Sequence, residues 1–86
     1  MANLFQLNIR TPEAAIFDAQ ASSLCLPEDS GYMGVLAHHA PLISTLKPGK
    51  ITFKDGEGRE QTVLSTTKGI VEIADNRVVI LLDSVI

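Results

Sequence analysis

The side chains of this 86-residue sequence with the chemistry to act on a substrate are few: Cys25, the adjacent His38 and His39, and scattered carboxylates. Neighbouring residues of an extended segment point to opposite sides, so the two histidines do not readily share one metal ion. No Cys-x-x-Cys or His-Glu-x-x-His spacing supplies further ligands. Cys25 sits between Leu24 and Leu26 with no cationic neighbour in sequence to lower its pKa, which describes a packed thiol rather than a nucleophile. Phosphate-binding loops fail on their spelling. Gly49-Lys50 has Ser44 where a P-loop needs its first glycine, and Gly56-Glu57-Gly58 is followed by Gln61 where a dinucleotide loop needs glycine. Glu57, Glu60, Glu72, Asp75 and Asp83 fall in turns or at strand ends as solvated charge, and Glu28-Asp29 offers too few oxygens for calcium. The expectation is a chain with no catalytic residues, no metal and no cofactor.

Composition narrows the classes further. Seven Lys plus Arg against ten Asp plus Glu give a net charge of −3, with no basic footprint for nucleic acid. A single cysteine forms no internal disulfide, which fits a reducing cytoplasm. The opening Met1-Ala2-Asn3-Leu4-Phe5-Gln6 has no basic region or apolar run, and the longest apolar run, 78–82, is far short of the roughly 20 residues of a membrane helix. Direct membrane insertion is not expected. The length suits one domain over residues 1–86.

The elements that must position these residues follow from hydrophobic period. Phe5, Leu7 and Ile9 alternate with Gln6, Asn8 and Arg10; Leu24 and Leu26 flank Cys25; Ile51 and Phe53 flank Thr52; Val71 and Ile73 flank Glu72. Each run predicts a strand with one buried face. Residues 78–82 lack polar alternation and predict a strand covered on both faces. Between the runs lie turn signals: Thr11-Pro12-Glu13, Pro27-Glu28-Asp29-Ser30-Gly31, Lys47-Pro48-Gly49, Asp55-Gly56-Glu57-Gly58 and Asp75-Asn76. Pro48-Gly49 predicts a type II turn, and Asp55-Gly56 and Asp75-Asn76 predict tight hairpins, so consecutive strands should pair antiparallel. No window carries a helical repeat. The predicted fold is an all-β sandwich, or flattened barrel, of some nine short, mainly antiparallel strands.

One stretch breaks the alternation. Residues 31–42 are apolar yet irregular, and Tyr32, Met33, Val35, Leu36, His38 and His39, stiffened by Pro41, describe either a partner-binding surface or a loop that covers the core. These residues also carry a resemblance. Leu26-Pro27, Gly31, Gly34-Val35-Leu36, His39-Ala40-Pro41-Leu42, Leu46-Lys47-Pro48-Gly49, Gly69-Ile70-Val71-Glu72-Ile73 and Val79-Ile80-Leu81, in that order, resemble the epsilon subunit of rotary F-type ATP synthases. The resemblance covers essentially the whole chain, including Thr11-Pro12-Glu13.

It implies a ten-stranded β-sandwich of the central rotor stalk, non-catalytic and binding no nucleotide, seated between the gamma subunit and the c ring and coupling proton translocation to ATP synthesis. By position, His39, Ala40, Pro41 and Leu42 match the family's loop near gamma, with Met33 and Val35 as expected apolar anchors. Glu28, Asp29, Ser30, Gly31 and Tyr32 match the turn that approaches the c ring. The sequence departs from the family at Tyr32, where many relatives carry an acidic residue, and at Ala37-His38, where proline-glycine is common. The resemblance also implies a location on the cytoplasmic face of a bacterial inner membrane. Relatives continue past residue 82 into two helices that can inhibit hydrolysis, so the expectation for these residues is coupling without that inhibition.

Two other classes stand beside this reading. A freestanding β-sandwich that binds a carbohydrate or other ligand would normally offer aromatic platforms, and this chain has no Trp, one Tyr and three Phe. A small hydrolase would need the nucleophile, base or metal cluster that the spacing lacks. Within the family, a variant ion-translocating ATPase and sodium coupling remain open.

Overall fold

In the computed structural model, which describes residues 3–86, eight strands run in sequence with no helix among the described residues. Met1 and Ala2, the start of the stretch read for targeting, lie outside the described residues. The strands are β1 (Phe5–Arg10), β2 (Ala15–Glu28), β3 (Gly31–Val35), β4 (Leu42–Leu46), β5 (Gly49–Asp55), β6 (Glu60–Ser65), β7 (Gly69–Ala74) and β8 (Arg77–Leu82). The expected all-β sandwich is present, with eight strands in place of the nine read from alternation and the ten that the resemblance implies; β2 is one strand of 14 residues.

β2 turns the corner between the two layers. Its first half pairs with β1, Phe5 opposite Ala21 and Ile9 opposite Phe17. Its second half pairs with β3 on one side and β5 on the other. The register to β5 skips from Ala21–Asp55 to Ser23–Lys54, leaving Ser22 as an extra residue, and a bulge of this kind bends a strand. Ala21, fully buried at the corner, has a side chain small enough for the two layers to meet there. The order β1-β8-β7-β4-β2, closed by the β1–β2 pairing, makes a flattened barrel, with β3, β5 and β6 extending the second layer.

The inward residues are those that alternation selects. Phe5, Leu7, Ile9, Leu24, Leu26, Ile51, Phe53, Val71, Ile73, Val78, Ile80 and Leu82 form one buried cluster. Phe17 of β2 meets Phe53 of β5 with ring centroids 4.6 Å apart and planes tilted by 56°, a favourable tilted geometry.

Several local expectations need correction. Residues 78–82 are not covered on both faces: Val78, Ile80 and Leu82 point inward, while Leu81 is half exposed. Consecutive strands do not all pair. β4 pairs with β7 and touches β2 at Leu46–Glu28, β5 pairs with β2 and β6, and β1 lies parallel to β8. Lys47-Pro48-Gly49 therefore crosses between the layers. Gly49 opens β5 at φ 157°, not the value near +80° of a type II turn, and Lys47 N–H donates to the Pro27 carbonyl (2.8 Å).

The two predicted hairpins are present. Asp75 and Asn76, at φ 52° and 59°, are the paired left-handed residues of a type I′ turn joining β7 to β8. The β5–β6 connection is longer: Gly58 N–H donates to the Asp55 carbonyl (3.0 Å), and Gly58 takes the positive φ of 83° that follows such a turn. The buried Asp55 carboxylate accepts N–H groups from Glu57 and Arg59, the Arg59 Nε and the Gln61 amide. The Arg59 backbone N–H, then the Gln61 amide, the Glu57 N–H and the Arg59 charge hold it below the ordinary carboxylate value, against the opposing effect of burial.

Candidate partner interface

β3 carries the informative stretch, and its alternation decides which residues are available to a partner. Tyr32 and Gly34 face outward, Met33 is half-buried, and Val35, opposite Leu24, is buried in the core. Val35 is thus a structural residue rather than a surface anchor: its two methyls complete the packing beneath the loop. Met33 and Leu42 each lie partly against the core and partly open.

At one end of β3 is the acidic turn. Glu28 pairs with Gly31, so Asp29 and Ser30 are the two linking residues, and the positive φ (134°) falls on Gly31. Ser30 Oγ donates to Glu28 Oε1 (3.0 Å), Ser44 Oγ to Glu28 Oε2 (3.4 Å) and Thr45 Oγ1 to Asp29 Oδ2 (3.2 Å). Hydroxyls of β4 thereby brace both carboxylates while Asp29 stays exposed. Beside them Tyr32 is 66% exposed. The five residues Glu28, Asp29, Ser30, Gly31 and Tyr32 form one contiguous polar projection.

At the other end of β3, residues 36–41 lead into β4, which runs back toward the acidic turn. Ala40 and Pro41 are exposed, and His39 Nδ1 lies 2.7 Å from the Ala40 carbonyl, donating to it in the tautomer with that nitrogen protonated. His38 has φ 61°, and its N–H donates to Asn76 Oδ1 (2.8 Å). The two rings follow different local constraints. Among the described residues no group of three or more His, Cys, Asp or Glu is placed to hold a metal ion. Cys25 lies in mid-strand, paired with Gly34 and Thr52, and is half-buried.

Sequence reasoning named Leu36 within the irregular stretch but gave neither it nor the apolar outer face of the first layer a place in the interface. Leu36 is 64% and Ile43 71% exposed. Cross-strand register aligns Leu81 with Ile70, and Val79 with Glu72 and Ile43, in adjacent rows. The signal was available in residues 78–82, where apolar residues occupy the outward as well as the inward positions.

Residues 4–86 match the family described as the ATP synthase, Delta/Epsilon chain, beta-sandwich domain. This chain belongs to that family. Among curated proteins it is similar to the ATP synthase epsilon chain of Dichelobacter nodosus, 35% identical over 83 residues, which span 96% of this chain and 57% of that protein. It is 38% identical over 82 residues to that of Leptospira interrogans (95% of this chain, 63% of that protein) and 40% identical over 84 residues to that of Moorella thermoacetica (98% and 61%). The chain therefore spans only about three fifths of the length of these relatives. The fold recurs in a chain of the cryo-EM structure of the Euglena gracilis mitochondrial ATP synthase (OSCP/F1/c-ring), with a TM-score of 0.89 at 19% identity, covering all of this chain and 54% of that one. It recurs again in the central stalk/c-ring structure of the Tetrahymena thermophila mitochondrial ATP synthase, at 0.79 and 18%, covering 100% and 69%. The sandwich, expected from alternation alone, is the architecture of this family.

Proposed function

We propose that this chain is the β-sandwich of a non-catalytic epsilon subunit in the central stalk of an F-type ATP synthase, where it links the gamma subunit to the c ring and couples proton translocation to ATP synthesis. The observation that carries this reading is family membership over residues 4–86. The geometry supplies a means: two exposed regions at opposite ends of β3 and β4, one polar and acidic, the other a rigid loop flanked by apolar side chains. One close-packed core lies between the ends, and a packed interior transmits strain.

The loop end is assigned to gamma, through Met33, His39, Ala40, Pro41 and Leu42 with Leu36 and Ile43 added as the exposed anchors. Val35 acts only by holding the loop's base. The acidic end, Glu28 to Tyr32, is assigned to polar loops of the c ring; there the Tyr32 phenol stacks or hydrogen-bonds where many relatives carry a carboxylate. In this reading the chain binds no nucleotide, does not enter the bilayer and rides at the cytoplasmic face of a bacterial inner membrane. No helix among the described residues is long and apolar enough to cross a membrane.

Native mass spectrometry of the protein mixed with the alpha-beta-gamma assembly of its own organism, with and without gamma, tests the assignment. One copy bound only when gamma is present is the expected result. Absence of binding at micromolar concentration overturns it in favour of the freestanding module.

A further inference from the structure

The loop over residues 36–41 lies outside every strand ladder, and its turn at Ala37-His38 is tied to a residue far along the chain. His38 is at φ 61°, a left-handed conformation that is costly for a residue with a Cβ and persists where the surroundings impose it. The group that meets its N–H is Asn76, 38 residues away and itself left-handed at φ 59° in the β7–β8 turn. Asn76 Oδ1 accepts the His38 N–H (2.8 Å), Asn76 Nδ2 donates to the Leu4 carbonyl (2.9 Å), and the Asn76 carbonyl accepts the Gln6 N–H (3.2 Å). A backbone N–H only donates and a carbonyl only accepts, so the two partners fix which way round the amide lies. A carboxylate in its place would meet the His38 N–H equally well but would set an oxygen against the Leu4 carbonyl.

We infer that Asn76 is the positioning residue of the 36–41 loop: its side-chain amide ties His38 to the entry of β1 and so presents His39, Ala40 and Pro41 to the partner in one preset conformation. This rests on the proposed role of that loop in binding gamma. Presetting matters because a loop that must be ordered on binding loses affinity by the cost of ordering it. Asn76 touches no partner in this account and acts only through the loop.

The test compares the full chain with Asn76→Gly, which keeps the left-handed turn without strain but removes the amide, and with Asn76→Asp, which keeps the acceptor alone. Amide hydrogen exchange of His38 and affinity for isolated gamma subunit are read together, with exchange of the core amides of Leu7 and Ile80 as the measure of intact fold. In Asn76→Gly, His38 exchange should rise about tenfold and affinity for gamma should fall about 3- to 10-fold, while the core amides hold. Asn76→Asp should leave His38 exchange closer to wild type than Asn76→Gly does. Unchanged His38 exchange in Asn76→Gly, or faster exchange with unchanged affinity, overturns the inference. If wild-type protein itself shows no affinity for gamma, the proposed function fails, and His38 exchange alone still decides whether Asn76 holds the loop.

Discussion

The turn at Asp29-Ser30 and the loop over 36–41 leave opposite ends of the same five-residue strand, β3, but they are held in different ways. The turn is short, closed by the Glu28–Gly31 pair, and braced by hydroxyls of the adjoining β4 on both carboxylates. The loop rests on the core through Ala37, and the side-chain hydrogen bond that reaches its backbone comes from Asn76, 38 residues along the chain. The turn takes its braces from the strand beside it, 16 residues along the chain, whereas the loop takes its clamp from a hairpin turn 38 residues away. Two hydroxyls on Glu28 make the acidic end tolerant of losing either one, and a clamp at Asn76 makes the other end adjustable without touching the partner surface.

The largest expected effects come from breaking the frame that both ends share. A Cβ at Gly69 would lie 2.5 Å from Leu82 Cδ2 and 2.8 Å from the Leu81 carbonyl oxygen, so Gly69→Ala must shift β8 against β7. A loss of about 2 to 3 kcal/mol in urea denaturation is expected, comparable to overpacking a core. Val35→Ala opens a hole where β3 meets the loop and should cost about 2 kcal/mol by the same measurement, weakening gamma binding only as the fold weakens. Leu36→Ala, next along the chain but exposed, should show the reverse: stability unchanged within about 0.5 kcal/mol, and binding to gamma weaker by about 1 to 2 kcal/mol in calorimetry. Equal behaviour of these neighbours would erase the distinction between support and surface.

The acidic end predicts a smaller response. Ser44→Ala removes one hydroxyl from Glu28 and leaves Ser30, so thermal unfolding should move by no more than about 0.5 to 1 kcal/mol. A last effect is confined to acid. Asp55 has a folded pKa below its ordinary value of 3.8, so its contribution is present above the unfolded value and is lost as pH falls through the lower folded one. Denaturation midpoints followed from neutrality into acid should fall more steeply for wild type than for Asp55→Asn; parallel curves would show that the β5–β6 turn does not depend on that charge.

The legibility of these regions follows from the range of the forces that shape them. The inward faces of β1, β5 and β7 could be read because alternation along one strand already separates Leu7 from Asn8 and Phe53 from Lys54. Asp75-Asn76 could be read because the type I′ turn favours residues tolerant of positive φ. Residues 78–82 misled because their apolar outward positions imitate a doubly covered strand. Val35 misled because it sits in the irregular stretch, where the phase of the alternation is set by pairing with β2.

By itself, then, the sequence determined the all-β class, most of the core faces, two of the turns and the family resemblance, all of which arise from local period and residue type. Only the tertiary structure decided that β2 is one bent strand shared by two layers, that β1 lies parallel to β8, that Pro48-Gly49 crosses between layers, and that Asn76 holds His38. Strand pairing and side-chain clamps join residues tens of positions apart. Their free energy depends on which partners arrive together, and no local pattern records that choice.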